Sequence, residues 1–223
     1  MPPNQSPLFL HEEIMLLALR DEKGTVEFGS MYNYALAGAI LAELLLAGRI
    51  SVEAGKKKLI GFKDRASMSE PVIDECLGKI ASAKRRADPQ TWVQRFSCLK
   101  KLHHRVAQGL CQRGVLRADE DKVLLIFTRQ TYPELNPQPE RRLIERLRKA
   151  IFGDSNDVDP RTVVLIALAH VAGLLRIPFD KKDLRQRKKR IEQIINGDIM
   201  GKATKQAIEA AQAAAAVVVL CAG

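Results

Sequence analysis

Residues 30–47 read SMYNYALAGAILAELLLA, and Glu43 is the only charged side chain among them. A helix here would be apolar nearly all round. Its small residues Ala35, Ala37, Gly38, Ala39 and Ala42 would let neighbours approach closely. A helix without a polar face belongs inside a bundle rather than on its surface. The stretch therefore predicts a mainly α fold, a single-domain helical bundle with this segment at its centre.

The flanking sequence extends the same pattern. Leu10, Ile14 and Leu17 fall at helical spacing and predict a first helix over about Leu8 to Arg20, with Gly24 as its stop. Asp88-Pro89, Asn136-Pro137 and Asp159-Pro160 each put a capping side chain before a proline, which a helix tolerates in its first turn. They predict helices over about Gln90 to Phe96, Gln138 to Phe152 and Arg161 to Leu175. Further helices are expected over Lys182 to Ile195 and, rich in alanine, Lys202 to Leu220.

Two segments share a plan. Gly48-Arg49-Ile50 and Gly114-Val115-Leu116 each close a helix, and each is followed by a polar turn, a lysine and an apolar pair, Leu59-Ile60 or Leu125-Ile126. Each unit reads as helix, glycine stop and short β-hairpin. Winged-helix nucleic-acid-binding domains share that order, so nucleic-acid binding is the alternative function to weigh. The helix ahead of Gly48 is apolar and acidic, which opposes it, whereas the helix ahead of Gly114 carries Lys100, Lys101, His103, His104 and Arg105.

Composition narrows the classes. Hydrophobic residues make up 46% of the 223, enough for a packed core, while an aromatic content of 5% argues against an all-β barrel. Residues 1–7 are polar and predict a short disordered start, ahead of one domain over 8–223. No signal peptide is evident, and the most apolar stretch, Val163 to Leu175, is short for a bilayer, which needs about 20 residues. Cys76, Cys98, Cys111 and Cys221 form no Cys-x-x-Cys pair, which points to free thiols in a reducing, cytoplasmic setting.

Thirty-six lysines and arginines against 26 acids give a net charge of +10, which attracts nucleic acid or an anionic bilayer. The charge gathers at Lys56-Lys57-Lys58, Lys84-Arg85-Arg86, Arg141 to Lys149 and Lys181 to Arg190. No Gly-rich phosphate loop and no Gly-x-Ser-x-Gly elbow occurs. His103 and His104 are neighbours expected to point apart, and His170 reads as a core histidine. Glu12-Glu13 suits the positive end of the first helix. No enzyme, cofactor or metal is expected. Val123 to Phe127 is apolar without alternation, so that hairpin offers Leu124, Leu125, Ile126 and Phe127 either to the protein's own interior or to a membrane or partner.

Leu8 to Leu19 (LFLHEEIMLLAL), then Gly38 to Leu44 (GAILAEL) with Gly48-Arg49-Ile50, resemble the opening motifs of the Golgi phosphoprotein 3 family. Thr91-Trp92, Arg105-Val106-Ala107, Gly114-Val115-Leu116, Arg161-Thr162 and Leu168-Ala169-His170 follow in the family's order. The resemblance implies a helical domain with a protruding hydrophobic hairpin that binds phosphatidylinositol 4-phosphate at a Golgi membrane. It also implies binding to cytosolic tails of membrane proteins and self-association through the hairpin. By motif position, the family's headgroup tryptophan and arginine fall on Phe28 and Ala37, and two basic positions fall on Lys100 and His103. A phosphate monoester needs several charge-assisted donors, so Arg105 or one of the basic clusters is the expected substitute, and selectivity is expected to be weak. The expected location is cytoplasmic and peripheral: the cytosolic Golgi face in a eukaryote, the inner membrane surface in a bacterium.

Overall fold

The computed structural model describes residues 7–20, 24–26, 30–123, 127–155 and 157–196. Most of the expected start at 1–7, the expected final helix over 202–220, Phe28 and Leu124 to Ile126 lie outside them.

At the centre are three helices, α1 (Leu10–Ala18), α2 (Ser30–Leu46) and α7 (Pro160–Val171), packed on one another. Every residue of α1 is buried, as are Ala35 to Ala37 and Ala39 to Leu45 of α2 and Thr162 to Ala169 of α7. Each fully buried Leu or Ile here contributes roughly 1.5–3 kcal/mol of transfer free energy. The central position read from residues 30–47 is what the structure shows.

One-sided helices surround this core, α3 (Pro71–Ala81), α4 (Pro89–Ser97), α5 (Leu102–Gln112), α6 (Gln138–Phe152) and α9 (Lys188–Asn196), while the short α8 (Lys181–Gln186) buries no residue. In α6 the buried Leu143, Leu147, Ala150 and Ile151 recur at helical spacing. The aspartate caps hold, with Asp88 accepting from the Thr91 N–H at 2.8 Å and Asp159 from that of Thr162 at 3.0 Å. Asn136 accepts from Gln138 at 3.1 Å, so Pro137 precedes its helix instead of opening it.

Three two-stranded antiparallel pairs complete the described residues: β1 (Leu19–Arg20) with β2 (Thr25–Val26), β3 (Ile50–Val52) with β4 (Ile60–Phe62), and β5 (Asp119–Val123) with β6 (Phe127–Thr131). Gly48 and Gly114 close α2 and α5 in the same way. Each has a left-handed φ, +68° and +69°. The N–H of the residue after each returns to a carbonyl five residues back, Arg49 to Leu44 and Val115 to Leu110, both at 2.9 Å.

Several expectations need correction. Gly24 does not stop α1. The helix ends at Ala18 and the chain continues extended into β1, with Gly24 between the paired strands. The two glycine-hairpin units share their stop but not their register. Ile50 pairs with Phe62, whereas Leu116 bridges to Glu134 and the main ladder begins only at Asp119. The helix expected to reach Leu175 ends at Val171 and gives way to a 3-10 turn over Leu174–Arg176. The helix expected over 182–195 is two, divided at Arg187.

Candidate functional site

The start of α5 collects most of the described candidate residues. Lys101 adopts a left-handed φ of +54° and turns the chain into the helix, leaving Lys100 exposed just ahead of it. Leu102, Val106, Ala107 and Leu110 bury one face. His103, His104 and Arg105 are therefore placed between core and solvent.

His103 and His104 do not point apart as expected: their ring centroids lie 4.0 Å from each other. His103 is pushed down to about 4, by burial first and by the neighbouring imidazole second. It is neutral at pH 7 and supplies no positive charge to a phosphate. His104 Nδ1 lies 2.7 Å from the Tyr132 hydroxyl, immediately after β6. That contact fixes the base of the β5–β6 hairpin against the first turn of α5. Arg105 faces the other way and meets Glu75 of α3 at 2.5 Å. Burial would lift Glu75, but Arg105 and Lys79 outweigh it and hold the carboxyl below its ordinary value.

His103 and His104 thus stand beside the hairpin base, Lys100 is exposed just ahead of α5, and Arg105 is engaged with Glu75. Ala37 is fully buried in α2, so it offers neither surface nor donor to a headgroup. Phe127 begins β6, opposite Val123, and the three residues between them are aliphatic.

A second feature is interior. Four carboxylates, Glu12, Glu13, Glu43 and Glu70, are buried around the N-terminal half of α1. Glu12 accepts from the Phe9 N–H at 2.8 Å and meets Arg113 at 2.5 Å. Glu43 accepts from the Leu10 N–H at 2.7 Å and from both terminal nitrogens of Arg161, at 2.6 and 2.9 Å. Arg146 lies 2.8 Å from Glu13 without hydrogen-bond alignment. His11 Nε2 lies 3.6 Å from Glu70. Burial raises the Glu12 and Glu13 carboxyls despite these cations. For Glu70 the nearness of His11 and two backbone N–H groups outweighs burial, and its value falls. Glu12 and Glu13 stand in the first turn of α1 as expected, Glu12 capping the Phe9 N–H, and both are in addition charge-paired inside the protein. Glu43, alone in its apolar helix, was the sequence signal for this network.

A cavity of about 530 Å³ opens beside Tyr132, lined by Leu17, Ile144, Glu134 and Glu140 among others. Burial and the adjacent Glu134 push Glu140 up to about 7. No histidine, cysteine or serine is among the described residues lining it. His170, expected in the core, is exposed at the end of α7. Leu41 to Leu45, ahead of Gly48, are buried and cannot enter a nucleic-acid groove, which removes half of the winged-helix reading.

Among the described residues no helix is long and apolar enough to cross a membrane, and no three potential metal-ligating side chains gather. A sequence profile for the family described as Golgi phosphoprotein 3 (GPP34) matches residues 10–211. Vacuolar protein sorting-associated protein 74 of Eremothecium gossypii is 27% identical over 217 residues, covering 79% of this chain and 64% of that protein. The chain therefore spans a little under two thirds of the length of this curated relative.

Proposed function

The chain belongs to the Golgi phosphoprotein 3 family, and from that membership we propose that it is a non-enzymatic adaptor that docks peripherally on anionic phospholipid. Lys100 and its neighbours hold headgroup phosphate, and the apolar run Leu124 to Phe127 enters the bilayer beside them. The observation that carries this reading is the 2.7 Å contact between His104 and Tyr132, which ties the root of the apolar hairpin to the cationic start of α5. Cations near an anionic surface contribute about 1 kcal/mol each, and salt screens that attraction. Burial of one Leu or Phe adds roughly 1.5–3 kcal/mol. The two terms together suffice for reversible attachment.

The proposed headgroup is phosphatidylinositol 4-phosphate, a reading that family membership supports, with loose selectivity. His103 is neutral at pH 7, Ala37 is buried, and Arg105 has a competing carboxylate. Phe28 remains the proposed aromatic wall. Cytosolic tails of membrane proteins are the proposed cargo, and the hairpin is the proposed surface for self-association. The site of action is the cytoplasmic side of a membrane, the Golgi in a eukaryote or the inner membrane in a bacterium.

Liposome flotation tests the reading. The protein is expected to float with phosphatidylcholine vesicles containing phosphatidylinositol 4-phosphate or phosphatidylserine, not with phosphatidylcholine alone, and to dissociate as salt rises. Leu124→Glu with Leu125→Glu, and separately Lys100→Glu with Arg105→Gln, should each weaken binding about tenfold or more. Glutamine at 105 avoids setting two carboxylates against each other at Glu75. Equal failure to bind either vesicle at low salt overturns the reading.

A further inference from the structure

On the far side of α7 from its N-cap, a recess of about 250 Å³ lies between the end of α7, the 3-10 turn, α8 and α9. Its floor is apolar, made by Leu175, Leu184 and Ile191. Its walls carry His170, Arg176, Lys181, Arg185 and Lys188. These come from four successive elements, His170 from α7, Arg176 from the turn, Lys181 and Arg185 from α8, and Lys188 from α9, with Glu192 of α9 close by.

The charges of this recess are unbalanced. Glu192 is engaged by Lys188 at 3.7 Å. Arg176, Lys181 and Arg185 form no ion pair among the described residues, and no carboxylate is among the described residues lining the recess, although Asp180 keeps its charge nearby while capping α8 through the Lys182 N–H at 2.7 Å. Like charges on separate elements around one concavity repel, and a multivalent anion seated between them would relieve that repulsion. Guanidinium groups supply forked donors suited to phosphate oxygens, and lysines supply point charge. The volume is below that of a drug-sized pocket and fits a phosphate monoester carrying at most a small polyol.

We propose that this recess is a second binding site, separate from the start of α5, for a phosphate monoester, free or displayed on a lipid headgroup. Arg176 and Arg185 grip the phosphate, Lys181 and Lys188 add charge at its edge, and His170 completes the ring of donors. The proposal does not depend on the docking function of α5 and the hairpin. Although His170 is exposed by area, partial desolvation of its ring in the recess holds the imidazole below its ordinary value, with Arg176 and Lys188 adding to the effect against the pull of Glu192. A bound dianion reverses that balance and draws a proton onto the ring. Binding is therefore accompanied by proton uptake at the ring, by linkage, while the ligand's own second ionisation, at about 6, limits any gain in affinity as pH falls.

The test follows the imidazole NMR signals of His170 in the full chain at constant ionic strength. Inorganic phosphate and glycerol 3-phosphate are titrated in one arm, and phosphatidylcholine vesicles containing phosphatidic acid in the other. Saturable movement toward the protonated ring is expected, at least tenfold weaker in Arg176→Ala with Arg185→Ala. It should be unchanged in Arg141→Ala with Arg142→Ala, which removes equal charge from exposed positions elsewhere. Saturation by glycerol 3-phosphate alone assigns a soluble ligand, and saturation by vesicles that inorganic phosphate competes away assigns a lipid headgroup. Drift without saturation in both arms, or saturation identical in the two double variants, overturns the proposal. Because flotation depends on the hairpin and Lys100, its failure would leave the phosphate arm readable.

Discussion

Glu43 shows what one charge inside an apolar helix can organise: it holds the Leu10 N–H and both terminal nitrogens of Arg161. Glu43→Ala strands the Leu10 N–H and removes the carboxylate from the half-buried Arg161 guanidinium, whose Nη2 keeps only the Leu8 carbonyl. Breaking a buried pair on one side costs about 3–5 kcal/mol, so thermal unfolding should show a large fall in Tm. Glu140 acts in the opposite sense. Its folded value of about 7 lies above the ordinary 4.5, so its contribution to stability is complete below pH 4.5 and is lost as pH rises through 7. Glu140→Gln stays neutral throughout. Thermal melts of variant and parent should coincide below pH 4.5 and separate toward pH 8. After a discount for partial exposure the variant gains about 1 kcal/mol, or roughly 2–4 °C.

At the scale of elements, the left-handed glycines are the clearest devices. A Cβ at such a position costs roughly 1–2 kcal/mol, so Gly114→Ala and Gly48→Ala should lower the urea midpoint by similar amounts without changing the m-value. Equality is the informative outcome, because the two stops match while the hairpins behind them do not. Elements that announce themselves locally were legible in the sequence: α2 from its uninterrupted apolarity, α4 and α7 from their Asp-Pro starts. α3 escaped because its cap is Glu70, which accepts from Ile73 at 2.6 Å ahead of Pro71, and glutamate is not among the usual capping residues. The break at Arg187 escaped because no glycine or proline marks it. The later start of β5 escaped because register depends on pairing partners rather than on local composition.

For the whole molecule, the bundle and its family were readable because burial pattern and motif order are properties of the chain. The site was readable only in part. Lys100 could be picked from sequence, but Arg105's tie to Glu75, the neutral His103 and the buried Ala37 arise from residues brought together by folding. The same holds for the recess at His170: Lys181, Arg185 and Lys188 looked like one solvated run, and folding brings Arg176 and His170 from two further elements beside them. The buried carboxylates of α1 and α2 have a further consequence. Arg113 answers Glu12 across 101 positions and Arg161 answers Glu43 across 118. During synthesis these acids leave the ribosome well before their arginines exist, and domains generally fold as units once complete. The N-terminal third therefore cannot settle in advance: its first helix is locked by α7, made long after it, and a chain that terminates before Arg161 leaves that lock open.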